Sequence, residues 1–163
     1  MRLHLIRHAN AEGFDASGKD FNRSLSEKGL IQCEKTKTIL MNLSLGPQEI
    51  KAFSSSSFRT KETVDLLFDK QFNFSYHDDL YLCSVTNLMD FIWELKTQSD
   101  IILVGHNSGL SDLASYFTAK NVFMKTGALL SIEFPLGSSE ELSKGLGEIN
   151  YAYRCNIDSY PIT

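Results

Sequence analysis

Apolar positions along this chain fall into short continuous runs and into longer stretches where they recur at helical spacing. Leu3, Leu5 and Ile6 make a strand that stops at Arg7 and His8, because Ala9-Asn10-Ala11-Glu12-Gly13 cannot continue it. Residues 9–24 are polar, carry Gly13 and Gly18, and read as an irregular loop over the sheet edge. Ser26 is a helix N-cap, with Glu27 in the first turn where a negative charge suits the dipole. That helix runs to about Leu43, with Leu30, Cys33, Thr36, Leu40 and Leu43 near one face and Gly46-Pro47 beyond its end. A short strand over 50–53 closes in four serines, Ser54 to Ser57, and Thr60, Val64, Leu67 and Phe68 then mark the inward face of a second helix.

Residues 72–76 read as a third strand and His77-Asp78-Asp79 as a turn. Ser84 caps a helix to about Gln98, with Leu88, Phe91, Ile92 and Leu95 as its apolar stripe and Trp93 as packing. The run 101–105 leads into His106-Asn107-Ser108-Gly109 and a helix bearing Leu110, Leu113, Ala114 and Phe117. Residues 129–134 form a strand with Pro135 at its end, 136–147 an exposed turn, and 148–157 an alternating strand that pairs back as a hairpin. The order β-α-β-α-β-α-β-α-β-β predicts an α/β three-layer sandwich: a mostly parallel central sheet, helices on both faces and a C-terminal hairpin at one edge.

Composition narrows this little. The 163 residues suit a single domain over 1–163, and 42% hydrophobic with 22% charged residues describes an ordinary globular chain. A net charge of −4 argues against a general nucleic-acid binder. Three separated cysteines, Cys33, Cys83 and Cys155, with no CxxC pair, fit a reduced, cytoplasmic compartment and no cysteine nucleophile. No run approaches the roughly 20 apolar residues of a membrane span, and Arg7 and His8 interrupt any signal-peptide core. A monomer that uses neither metal nor cofactor is expected. His4 and His77 carry no partner pattern and read as structural.

The chemistry lies at strand ends. Arg7-His8 and His106 each follow an apolar strand, and Arg59 sits in the first turn of a helix that follows a strand. In open α/β sheets that edge is where ligands bind. A helix N-terminus favours anions, and the serine run before Arg59 adds hydroxyl donors. A set rich in positive charge and poor in carboxylates suits a tetrahedral dianion, since Arg forks donate paired hydrogen bonds to phosphate oxygens. Histidine is a competent nucleophile when one ring nitrogen is held by a hydrogen bond and the other is left unprotonated.

These residues resemble the histidine phosphatase superfamily, whose fold is phosphoglycerate mutase-like. Leu5-Ile6-Arg7-His8-Ala9 is similar to its RHG motif, Ser55-Ser56-Ser57-Phe58-Arg59-Thr60-Lys61-Glu62-Thr63 to its SPxxRxxxT segment, and Val104-Gly105-His106-Asn107 to its second-histidine segment. RHA in place of RHG, Arg23-Ser24-Leu25, Leu80-Tyr81, the stretch from His106 to Leu113 and Thr126-Gly127-Ala128 resemble the SixA-type phosphohistidine phosphatases more closely. The likeness spans Arg2 to about Phe134. It implies that His8 is a transiently phosphorylated nucleophile and that Arg7, Arg59 and His106 bind the phosphoryl oxygens. It gives Arg23 a place at the rim, contacting phosphate or bracing the loop through Asp20, and leaves Ser55 and Asn107 as local donors or as cap and turn residues.

The chain departs from the pattern in three places. Ala9 replaces Gly and Ser56 replaces Pro, which is tolerable where no positive φ is needed. Superfamily members that cleave phosphate esters carry an acidic proton donor in mid-chain, where this sequence has Asp78-Asp79-Leu80-Tyr81-Leu82. Without a donor there, a phosphoramidate is the favoured substrate, phosphohistidine on a protein, including a His-phosphotransfer domain. Asp78 or Asp79 supplies the acid if the loop folds inward, which makes a small phosphomonoesterase the alternative. A non-catalytic phosphate- or partner-binding module is the second alternative.

Overall fold

The structure is a computed structural model that describes residues 1–14, 16–43, 45, 49–135 and 137–155. Strands β1 (Arg2–Arg7), β2 (Ile50–Ser55), β3 (Phe74–His77), β4 (Asp100–Gly105), β5 (Leu129–Glu133) and β6 (Glu148–Tyr153) form one sheet in the order β3-β2-β4-β1-β5-β6. The first four run parallel, with β1 and β4 in register from Leu3 opposite Ile101 to Arg7 opposite Gly105. β5 pairs antiparallel with β1, and β6 antiparallel with β5, so the expected edge hairpin is present.

Helices α1 (Glu27–Asn42) and α2 (Phe58–Phe68) pack together on one face, and α3 (Val85–Glu94) and α4 (Gly109–Thr118) on the other. Because both faces are covered, the central strands β1 and β4 are buried along most of their length and present apolar residues to both faces. Leu3, Leu5, Ile101 and Leu103 point into a core with Leu88, Ile92, Leu110, Leu113 and Phe117. Ile6, Ile102 and Val104 point the other way, onto Cys33, Leu40, Val64, Leu67 and Phe68. The three-layer sandwich read from the sequence is therefore the observed architecture.

Local boundaries differ for physical reasons. Leu30 is 51% exposed, and the inward face of α1 is Gly29, Gln32, Cys33, Thr36 and Leu40. This face meets loop backbone, so it needs polar partners. Gly29 is required there, since a Cβ would lie 2.0 Å from the Asn10 carbonyl oxygen. The third strand is shifted to Phe74–His77, so His77 belongs to the ladder opposite Ser55 rather than to a turn. α3 ends at Glu94, short of Gln98, because Lys96 turns to a left-handed φ of 42° and Thr97 pairs with Ser139. Ser139 and Leu142 are buried, so the segment after Pro135 is not simply an exposed turn. Gly46, Pro47 and the last two positions of the expected final strand lie outside the described residues.

Candidate active site

β1 and β4 are adjacent and parallel, yet β1 leads to a helix on one face of the sheet and β4 to a helix on the other. Their following loops diverge and open a crevice at the C-terminal edge, the usual ligand position in such sheets. His8 extends the ladder by one step, its backbone N–H donating to the Gly105 carbonyl at 3.1 Å. His106 follows β4 directly, and the two imidazole centroids are 5.0 Å apart. β2, the other neighbour of β4, delivers Arg59 in the first turn of α2. Three strand ends thus bring together Arg7, His8, Arg59 and His106.

The hydrogen bonds fix the state of each histidine. His8 Nδ1 lies 2.7 Å from the Ala9 carbonyl oxygen, which can only accept, so Nδ1 carries the proton. Nε2 keeps its lone pair and faces the Arg59 Nε–H at 3.4 Å. Burial, then the charges of Arg59, Arg7 and Arg23, lower the His8 pKa to about 4, against the opposing Ala9 bond. His106 Nδ1 receives Arg59 Nη2 at 3.5 Å, so its Nε2 holds the proton and donates to Ser55 Oγ at 3.0 Å. Its pKa is lowered to about 2, by burial first and then by His8 and Arg59. Both rings are neutral near neutral pH.

The two arginines are unequally satisfied. Arg59 is 3% exposed; Nη1 donates to the Asp20 carbonyl at 2.6 Å and Nη2 to Asp20 Oδ2 at 2.9 Å. Arg7 Nη1 donates to the Met124 carbonyl at 2.9 Å, while its buried Nε has no hydrogen-bond partner among the described residues. Burial and the nearby Arg59 charge both lower the Arg7 pKa. A buried donor without an acceptor, beside a second guanidinium, is a place prepared for an anion. These donors suit a tetrahedral oxyanion, and the lone pair of His8 Nε2 faces the same space.

The other residues singled out in the sequence fall around this centre. Arg23 pairs with Asp20 Oδ1 at 2.6 Å and donates from Nε to the Glu12 carbonyl, so it braces the loop. Ser55 holds His106 Nε2, and Ser57 Oγ lies 3.4 Å from the same atom. The serine hydroxyls are engaged by protein groups: Ser54 donates to the Ser55 carbonyl and Ser56 to Asp78. Asn107 donates to the Met124 carbonyl at 2.8 Å and accepts from Ser111 Oγ, tying down the loop after β4. Asp78 and Asp79 are exposed in the short turn after β3. Neither Ala9 nor Ser56 has a positive φ, so the two departures from the motifs cost no strain.

Five more residues complete the site, in parts that the motifs do not assign to them. Asp20 bridges Arg59, Arg23 and the Tyr81 hydroxyl, and its carboxyl is held well below the usual range by Tyr81 and Arg23. Tyr81 sets its ring edge-on to His106 at 5.3 Å and 5.6 Å from the Arg59 Cζ. Gln32 accepts from the Asn10 N–H at 2.7 Å and donates to Thr126 Oγ1 at 3.1 Å, clamping two loops of the site. Gly127, at φ 72°, donates its N–H to both the Arg7 and His8 carbonyls. Thr63 accepts from the Ala9 N–H at 3.1 Å. Cys33 is buried, with its thiol pushed up to about 12 by burial, and is packing. Among the described residues no group of three or more His, Cys, Asp or Glu is placed to hold a metal. A cavity of about 670 Å³ between Glu133 and Asn150 lies at the hairpin edge, away from this chemistry.

The chain takes the phosphoglycerate mutase-like fold of the histidine phosphatase superfamily. Within that fold the likeness to SixA structures is strong. A Nakamurella multipartitia structure assigned as the phosphohistidine phosphatase SixA superposes with a TM-score of 0.80 at 17% identity, covering 94% of this chain and 95% of that one. The protein histidine phosphatase SixA complexed with tungstate superposes at 0.77 and 18% identity, covering 94% and 97%. A phosphoserine phosphatase from Entamoeba histolytica in complex with 3-phosphoglyceric acid superposes at 0.65 and 10% identity, covering 94% and 97%. In sequence, an uncharacterized chloroplastic protein of Arabidopsis thaliana is 32% identical over 138 residues, which is 77% of this chain and 62% of that protein. No family model matches the chain.

Proposed function

We propose that the protein is a metal-independent phosphatase that passes a phosphoryl group through His8 and acts on protein phosphohistidine, with His-phosphotransfer domains as the substrate class. The observation that carries this is the His8 tautomer. Its Nδ1–H is spent on Ala9, and its Nε2 lone pair faces the fork of Arg59 inside a cationic cluster. In the first step Nε2 attacks phosphorus, the bond to the substrate imidazole breaks, and that imidazole leaves with a proton taken from water. Arg7 and Arg59 hold the equatorial oxygens while charge shifts, and His106 joins them once the bound anion brings a proton onto its Nδ1, the ring atom that Ser55 leaves open. Water then attacks the phosphorus on His8, releasing inorganic phosphate and restoring the neutral ring. A donor set of guanidinium and imidazole suits the anion directly, which supports an uncatalysed-by-metal route.

The carboxylates support a phosphoramidate over an ester. Asp20 is held ionised by its partners, Asp78 receives the Ser56 hydroxyl, and Asp79 is exposed. An alcohol leaving group needs a proton in the transition state, and none of these stands ready to give one. The phosphomonoesterase reading keeps one supporting observation: Asp78 and Asp79 follow β3 at the same sheet edge as the site. The described cysteines, Cys33, Cys83 and Cys155, are free, which supports a reducing compartment such as the cytoplasm. No helix among the described residues is long and apolar enough to cross a membrane.

The test is phosphate release from a chemically phosphorylated His-containing protein and from p-nitrophenyl phosphate, for the wild type and His8→Ala, without added metal. Phosphohistidine hydrolysis that disappears in His8→Ala is the expected result. Ester hydrolysis alone points to the phosphomonoesterase, and phosphate binding without turnover points to a binding module.

A further inference from the structure

Arg59 supplies the fork that faces both histidines, and a buried guanidinium on a flexible side chain needs something to set its rotation. Its two forked edges are divided. The outer Nη1–Nη2 end meets Asp20, through the backbone carbonyl at 2.6 Å and Oδ2 at 2.9 Å. The Nε–Nη2 edge is left facing His8 Nε2 at 3.4 Å and His106 Nδ1 at 3.5 Å. We infer that Asp20 is a positioning residue for phosphoryl transfer: its grip on the outer end of Arg59 aims the Nε–Nη2 fork at the space between His8 and His106.

Asp20 is itself fixed from three sides. Arg23 Nη1 holds Oδ1 at 2.6 Å, and the Tyr81 hydroxyl donates to Oδ2. Tyr81 in turn lies edge-on to His106 and beneath the Arg59 guanidinium, with Phe21 packed T-shaped against it at 4.9 Å. A carboxylate with both oxygens bound in this way acts through Arg59 and not on the reacting atoms. It also leaves the site cationic, since one carboxylate is shared between Arg59 and Arg23 while Arg7 is uncompensated by it. The loop that carries Asp20 thereby couples the rim of the crevice to the orientation of its central donor.

The inference rests on the phosphoryl-transfer reading, but its test has an arm that does not. Tungstate binding is measured by calorimetry at pH 7.5 for the wild type, Asp20→Ala, Arg59→Lys and the double variant, beside turnover of phosphohistidine protein and thermal unfolding. Lysine has no fork to aim, so if Asp20 works through Arg59 the losses overlap. Asp20→Ala is expected to weaken tungstate binding about tenfold and lower kcat more than it raises KM, yet to change little in the Arg59→Lys background. Asp20→Asn, which keeps an acceptor oxygen, is expected to recover part of both losses. Additive losses overturn the inference, as does tighter tungstate binding in Asp20→Ala, the result if Asp20 only opposes the anion by charge. A wild type without His8-dependent turnover but with overlapping binding losses defeats the phosphatase reading and leaves the positioning role standing.

Discussion

The nucleophile role proposed for His8 requires a neutral ring, and that neutrality comes from burial. His8 is 8% exposed among three arginines that all disfavour a second proton. A lowered pKa means the ring is deprotonated at every pH above about 4, where an ordinary imidazole requires a pH above about 6.5. His106 is lowered further, so the first proton taken up by the pair goes to His8. An NMR titration of the His8 ring nitrogens in the free protein is therefore expected to have its midpoint near 4, moving upward when phosphate is added. A free-protein midpoint at or above 6.5 sinks this account. Ser55 makes a separate claim, because its hydroxyl is the nearer of the two partners of His106 Nε2. Ser55→Ala is expected to lower kcat about tenfold, at a stability cost of about 1 kcal/mol, since Ser57 remains. Unchanged kcat in that variant means His106 is oriented by its packing alone.

At the scale of elements, α1 shows how a helix can serve a site without touching substrate. Gly29, Gln32 and Thr36 lie on its inward face; Gln32 reaches Asn10 and Thr126, and Thr36 donates to the Gly127 carbonyl at 2.9 Å. These loops flank His8, so the position of the helix sets the position of that ring. Gly29→Ala places a methyl 2.0 Å from the Asn10 oxygen and forces helix and loop apart. The expected outcome is a loss of about 2 kcal/mol by urea denaturation with a larger fractional loss of kcat than of folded protein. Full activity in that variant shows that the loop is not held by α1.

The same helix marks the limit of reading from sequence. An apolar stripe placed Leu30 inward with Cys33, Thr36 and Leu40; the last three are buried, but Gly29 and Gln32 take the place of Leu30 where the helix packs on loop backbone. The strand ends were legible because β1 and β4 each carry a buried apolar run that gives way to a histidine, so local pattern alone places His8 and His106 at one edge. The pairing of Asp20 with Arg23, three residues away, was legible too, but the meeting of Asp20 and Tyr81 with Arg59 was not, because it depends on the path of an irregular loop and a turn 61 residues apart along the chain.

For the molecule as a whole, the burial that keeps the histidine rings neutral makes the fold sensitive to acid. His4, at 3% exposure against Ser131, also has its pKa lowered to about 4, chiefly by burial, so three buried histidines resist protonation when folded and accept it when unfolded. The unfolded chain then binds more protons below about pH 6.5, and stability falls with pH from there down to the folded values. Each histidine costs about 2 kcal/mol between pH 7 and pH 5, a large share of a domain's margin. Asp20 neither adds to nor offsets this drop, because the contribution of a lowered carboxyl holds above its ordinary value near 3.8 and is lost only as the pH falls below it. Urea denaturation at pH 7 and pH 5 is expected to show a drop of about 6 kcal/mol for the three together. Phosphate at a hundred times its Kd returns about 2.7 kcal/mol of it by binding only the folded site. It returns nothing in Arg59→Met, which lacks the fork. Equal stability at the two pH values rules out burial as the source of the neutral rings, and an undiminished phosphate effect in Arg59→Met places the anion elsewhere.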